Sequence, residues 1–149
     1  MIEYEIVEKL PSAEEYNRLR QSVGWGIFEY SVIEKALPNS LYCLCAFVNS
    51  EIVGMVRLIG DAGINFYIQD MIIKPDYQRK GIGTELMNKI MEYIHAHASL
   101  NSIIGLMSAK GKEPFYERYG FIIRPYDRFG SGMTMFWGVE QAGKESLPS

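Results

Sequence analysis

Apolar and polar positions alternate along the chain in two rhythms, and the change between them marks out the elements. A short period-two run at Tyr4 to Val7 predicts a first strand. Ser12 then offers an N-cap, and Glu14 and Glu15 followed by spaced apolar residues predict a helix through about Ser22. Val23-Gly24-Trp25-Gly26 breaks it, and a second short helix from about Ser31 to Leu37 stops at Pro38-Asn39. The runs Leu41 to Val48 and Ile52 to Ile59, joined by Asn49-Ser50-Glu51, read as an antiparallel hairpin. After the turn Gly60 to Gly63, a longer strand covers Ile64 to Ile73 and ends at Lys74-Pro75-Asp76, because proline cannot continue a central ladder.

The clearest helical pattern follows. Ile82, Leu86, Ile90, Tyr93 and Ile94 line one side, with Met87 and Met91 at its margin and Glu85, Asn88, Lys89 and Glu92 opposite. Ser102 to Met107 is a buried-strand candidate. Pro114 suits the first turn of a short helix through Tyr119 that Gly120 closes. Phe121-Ile122-Ile123 and Thr134 to Val139 are expected to supply the last strands. This order predicts one α/β (α+β) domain over residues 1–140, with a mixed, mainly antiparallel central sheet flanked by about four helices. Residues 141–149 have no core-forming pattern and are expected to be a disordered tail.

Composition changes this picture little. A chain of 149 residues with 48% hydrophobic and 22% charged residues is one ordinary globular domain, large enough to bury a core without disulfides or metal. The net charge of −3 gives no reason to expect nucleic acid or an anionic membrane as partner. Cys43 and Cys45 stand two apart in a strand-like run, on one face, where a disulfide between them is disfavoured. Without a C-x-x-C or a His/Cys cluster, no metal site is expected. Buried free thiols point to a reducing cytoplasm. The N-terminus is neither basic nor followed by an apolar run, so no signal peptide is expected, and no stretch has membrane-spanning length.

The candidate chemistry begins at Gln78-Arg79-Lys80-Gly81-Ile82-Gly83-Thr84, where a buried strand, a short loop and two glycines lead into the amphipathic helix. Backbone N–H groups at a helix start lack internal partners and carry partial positive charge, so they can hold an anion. Glycines at 81 and 83 allow close approach, and Arg79 and Lys80 add charge, which together predict a pyrophosphate site. A G-x-G-x-x-G fingerprint fails at Leu86, and the Walker A pattern is absent, so the segment alone does not choose among phosphate ligands.

With its setting, Q-x-x-G-x-G after a strand ending at proline resembles the acetyl-CoA-binding motif of the GNAT superfamily of N-acetyltransferases. A second similar element, Glu113-Pro114-Phe115-Tyr116-Glu117-Arg118-Tyr119-Gly120-Phe121, follows one strand later. The resemblance covers roughly residues 2 to 140 and implies a GNAT-like fold and an acetyl-CoA-dependent transfer to an amine. It implies that backbone groups of Met71, Ile72 and Ile73 pair with the pantetheine arm as an added strand. Backbone N–H groups over Arg79, Lys80, Gly81, Ile82, Gly83 and Thr84 would hold the pyrophosphate. Tyr116 would protonate the departing thiolate.

Relatives often carry acidic residues on the long strand. Here the pair is Gln69-Asp70, so Asp70 is the candidate that accepts the amine's proton through a water or anchors the ammonium. Its alternative is a strand aspartate satisfied by backbone donors or an arginine. His95 and His97 lie at the far end of the helix and are expected to cap it. Trp25, Phe28, Tyr30 and Tyr67 are the candidate acceptor-binding residues, since aromatics can enclose an amine, although such residues also serve as core. The expected partner is a small-molecule amine, with a homodimer left open. The competing function is a non-catalytic acyl-CoA-binding sensor or interaction domain of the same fold.

Overall fold

The computed structural model describes residues 2–139. Its elements run β1 (Glu5–Glu8), α1 (Ala13–Ser22), α2 (Tyr30–Ala36), β2 (Tyr42–Val48), β3 (Glu51–Gly60), β4 (Asn65–Ile73), α3 (Ile82–His97), β5 (Ile103–Leu106) and α4 (Glu113–Glu117), with single 3₁₀ turns at Leu37–Asn39 and Pro75–Tyr77. The five strands form one sheet in sequence order, antiparallel except for the parallel pair β4–β5. That parallel pair requires a crossover, and α3 supplies it.

The local reasons are those the sequence carries. Ser12 caps α1 through a capping box: its side chain accepts from the Glu15 N–H, and the Glu15 carboxylate accepts from the Ser12 N–H. α3 buries Ile82, Leu86, Met87, Ile90 and Ile94, each 4% exposed or less. Each such side chain contributes about 1.5–3 kcal/mol by leaving water. They pack on one face of the sheet with Leu44, Val56, Leu58, Phe66 and Ile68. On the other face Tyr16 and Leu19 of α1 and Ile33 of α2 pack with Cys43, Cys45, Met55 and Ile72. Both cysteines are free and share that face, as their spacing predicts.

One feature of β4 was not predicted. Met55 pairs with Ile72 and Arg57 with Gln69, so β4 carries one more residue than β3 across this interval. Asp70 takes a left-handed conformation there, with φ +56°. This is a β-bulge. It exchanges the faces of the strand: Phe66 and Ile68 belong to the α3 side, whereas Ile72 belongs to the α1 side.

The last two expected strands do not form. Residues 121–123 and 134–139 carry no ladder, and Ile122, Ile123, Met133, Met135 and Trp137 are all more than half exposed. Apolar composition gives a strand tendency, but a strand exists only where a partner edge receives it. β5 is four residues long, and its single ladder is with β4. The expected tail at 141–149 lies outside the described residues.

The turn before β4 is held by a single carboxylate. Asp61 Oδ1 accepts from the N–H groups of Gly63, Ile64 and Asn65 at 2.8 to 2.9 Å. Those donors, the Asn65 N–H foremost, lower its pKa to about 2. With the folded value below the unfolded one, this contribution is fully present above about pH 4 and is lost as pH falls through the folded value. The gap in urea midpoint between the wild type and Asp61→Ala is therefore expected to be widest near neutral pH. It should close at about pH 2. A gap that does not change with pH would assign the effect to side-chain packing instead.

Candidate active site

β4 and β5 stay paired only from Asn65↔Ile103 to Ile68↔Leu106. β4 continues to Ile73. From Gln69 onward its edge away from β3 is therefore unpaired with β5, and the two strands open a cleft. Apart from the Ile73 carbonyl, which accepts from Gln78 Nε2, no backbone hydrogen bond among the described residues engages this edge. The bulge at Asp70 lies where this opening begins.

A cavity of about 480 Å³ fills the cleft, within the usual range for small-ligand sites. Met71, Ile72 and Ile73 form one wall, and Gln78, Arg79, Gly81, Gly83 and Thr84 form its end. Phe115, Tyr116, Arg118, Lys112 and Ala109 form the wall opposite, and Val23 and Trp25 close the side toward α1. No Asp or Glu is among the described residues that line it.

The end of the cavity could hold an anion. Gly81 is the N-cap of α3 with φ +91°, and no side chain caps the helix there. Arg79 also has positive φ, +61°, so left-handed residues stand at 79 and 81 on either side of Lys80. Gln78 Nε2 donates to the Ile73 carbonyl at 2.9 Å and ties this loop to the end of β4. The exposed cations Arg79, Lys112 and Arg118 surround the space.

Gly83 separates binding from folding. A methyl group built there would meet the Ile73 side chain at 3.8 Å and the Phe115 ring at 4.0 Å, ordinary contact distances. If the helix start holds a phosphate, as the sequence resemblance implies for acetyl-CoA, Gly83→Ala is expected to keep the wild-type melting temperature while weakening CoA about 10- to 100-fold. Calorimetry with CoA beside a thermal melt measures both. Loss of stability in proportion to loss of binding would refute the separation.

Tyr116 reaches the cavity because α4 is pinned onto α3. Tyr119 donates to Asn88 Oδ1 at 3.2 Å and lies 3.4 Å from the Thr84 carbonyl. Phe115 packs edge-on against both Tyr116 and Tyr119. Burial pushes the Tyr116 hydroxyl up to about 12, and no charged neighbour contributes. It is therefore a neutral phenol, able to donate a proton, throughout the neutral range.

Asp70 is placed differently. Its side chain is fully buried and is absent from the cavity lining. Arg57 Nε donates to Oδ2 at 2.7 Å, Tyr16 donates to the same oxygen at 2.8 Å, and Arg20 lies 3.6 Å from Oδ1. Of its two alternatives, the geometry matches the aspartate satisfied by arginine. Burial and the Asp70 charge push the Tyr16 hydroxyl up to about 12, so it serves as a donor here.

The remaining expected residues divide. Trp25 lines the cavity. Phe28 and Tyr30 are about half exposed and stand outside it. Tyr67 lies beside Gly105 in the paired part of β4, also outside it. Lys80 is exposed and does not line the cavity, and the Ile82 side chain is in the core, so its contribution there is confined to backbone. Lys112, Arg118 and Val23 were missed. Two basic residues flanking the Phe115-Tyr116 pair were a readable signal for the first two; nothing in the sequence singled out Val23. His97 interacts through Nδ1 with the Tyr93 carbonyl at 2.8 Å in the last turn of α3, as expected of a helix end. Among the described residues no His, Cys, Asp and Glu cluster of three could hold a metal, and no helix is long and apolar enough to cross a membrane.

A split parallel pair, a glycine-rich helix start at its mouth and a tyrosine in the cleft match the arrangement that the resemblance to N-acetyltransferases implies. The comparisons agree. The family model for the acetyltransferase (GNAT) domain matches residues 22–136, and the chain belongs to that family. An uncharacterized N-acetyltransferase, ycf52, of Pyropia yezoensis is 31% identical over 127 residues, covering 83% of this chain and 70% of that protein. A ycf52-like N-acetyltransferase of Prochlorococcus marinus is 30% identical over 115 residues, covering 74% of this chain and 63% of that protein. Among solved structures, SA2161 of Staphylococcus aureus superposes with a TM-score of 0.84 at 27% identity, covering 91% of this chain and all of that one. The GNAT family acetyltransferase SP0256 of Streptococcus pneumoniae gives 0.70 at 29% identity, covering 93% and 99%. The protein is an N-acetyltransferase.

Proposed function

We propose that the chain transfers an acetyl group from acetyl-CoA to the primary amine of a small molecule, by direct attack in a ternary complex. The observation that carries this reading is the free edge of β4 running into the uncapped start of α3, with Tyr116 on the opposite wall. The residues fit the donor. The β4 edge at Met71 to Ile73 offers strand-like pairing to the amide-bearing arm. The helix start suits the pyrophosphate, with Arg79, Lys112 and Arg118 as counter-charges. When bound, acetyl-CoA supplies an activated thioester carbonyl for the amine. The β4 backbone donors orient and polarise that carbonyl, and Tyr116 holds a proton for the departing sulfur.

Asp70 enters this proposal as the residue that fixes the bulge, since its oxygens are already engaged. The amine then arrives neutral or loses its proton to water. The rate at low amine concentration is accordingly expected to rise with pH up to the amine's own pKa, with no limb near neutrality from an enzyme carboxylate or imidazole. A small acceptor is favoured by the Val23 and Trp25 wall and by the lack of carboxylates among the described lining residues, which leaves nothing to draw a polycationic peptide. The buried free thiols fit a reducing compartment such as the cytoplasm.

Calorimetry with acetyl-CoA, followed by thiol release over a panel of primary amines, tests the reading. Converging initial-rate plots are expected. Parallel plots with an isolable acetyl-enzyme would replace direct attack, and tight acetyl-CoA binding without thiol release for any amine would make the protein a sensor.

A further inference from the structure

Arg20 is 7% exposed, although it sits in the last turn of α1 next to a loop. Burying a guanidinium is unfavourable unless its charge and donors are matched. Here its Nε donates to the Gly26 carbonyl at 2.5 Å, and Nη1 stands 3.6 Å from Asp70. Its plane lies near the rings of Tyr16, Trp25 and Phe28, at 5.8, 5.5 and 5.0 Å from their centroids. The Arg20 carbonyl accepts from the Trp25 N–H at 2.9 Å and from the Val23 N–H at 3.2 Å. Both ends of this residue therefore hold the loop that gives the cavity its Val23 and Trp25 wall. The aromatic surroundings expected to receive an acceptor amine hold the protein's own cation.

The other half of the pair, Asp70, is the bulge residue of β4, held by Arg57 and Tyr16, and the residues that follow it form the donor wall. One buried carboxylate thus joins the strand that receives the thioester to the loop that faces the amine. We infer that the Arg20–Asp70 pair is a positioning device that sets the Trp25 wall against the β4 bulge, making Arg20 a specificity-determining residue for the acceptor that touches no substrate. The inference rests on the acetyltransferase reading only for what the wall faces.

The test uses Trp137→Phe as background, so that Trp25 is the sole tryptophan. Trp137 is 92% exposed and its replacement leaves the core intact. In that background Arg20→Met, which keeps the aliphatic stem, is expected to raise acrylamide quenching of Trp25 about twofold or more while CoA affinity by calorimetry stays within about twofold. Arg20→Lys restores a charge against Asp70 and should return quenching part of the way. Asp70→Asn should raise Trp25 quenching and also weaken CoA about fivefold or more, because it acts on both walls, and combining it with Arg20→Met should add little further quenching. Unchanged Trp25 quenching in both single variants overturns the inference. So does equal loss of CoA affinity in Arg20→Met and Asp70→Asn, which would mean general loosening. Should Arg20→Met not fold, Arg20→Lys and Asp70→Asn read the same coupling. A wild type that fails to bind CoA defeats the acetyltransferase reading, while the quenching comparison still decides the positioning one.

Discussion

Asp70→Ala is expected to destabilise the protein by about 3–5 kcal/mol, the cost of breaking a buried ion pair from one side. The variant would leave Arg57 and Arg20, with side chains only 14% and 9% exposed, without the carboxylate they share, and would leave the Tyr16 hydroxyl without its acceptor. A domain of this size has about 5–15 kcal/mol in total, so the loss removes a large part of it. The bulge is also released, because a left-handed residue without side-chain anchorage favours the regular ladder by about 1–3 kcal/mol. Urea unfolding measures the effect. Adding Arg57→Met to Asp70→Ala should recover part of the loss, since it removes a stranded charge. If the double variant is instead less stable by the sum of two independent losses, the ion-pair account fails.

Tyr116→Phe is expected to lower kcat by about 100-fold, the lower range for loss of a positioned general acid. Its stability and CoA affinity should stay near wild type. The ring supplies the packing against Phe115 and Phe121, and phenylalanine keeps the ring. Burial alone raises the hydroxyl's pKa, and among the described residues it has no ion-pair or hydrogen-bond partner to lose. The contrast with Asp70→Ala is diagnostic: that variant should lose stability and CoA affinity together, whereas Tyr116→Phe should lose kcat alone. A Tyr116→Phe enzyme within about threefold of wild type in kcat would remove Tyr116 from the proton transfer.

The two residues also show how far the sequence could be read. Tyr116 could be placed beside the cavity because its motif is local: Pro114, Phe115, Tyr119 and Gly120 all bear on one short helix and its docking. The loop from Gln78 to Thr84 could be placed at the cavity's end for the same reason, since an uncapped helix start and its glycines are neighbours along the chain. Asp70 was legible as a candidate but not in its role. Its partners Arg57 and Tyr16 lie 13 and 54 positions away, and no spacing rule connects them. The aromatic residues Trp25 and Phe28 were ambiguous because aromatic rings attract any cation, and only the folded chain shows that Arg20 takes their faces.

By itself, then, the sequence determined the strands through β5, the helices, the Ser12 cap of α1 and the glycine-rich start of α3. These depend on periodicity, capping and turn chemistry, which act within a few residues. The tertiary structure decided the rest: where β5 parts from β4, that Asp70 bulges and turns inward, and that residues 121–123 and 134–139 remain outside the sheet. Those outcomes depend on which edge, charge or face is presented from a distant part of the chain.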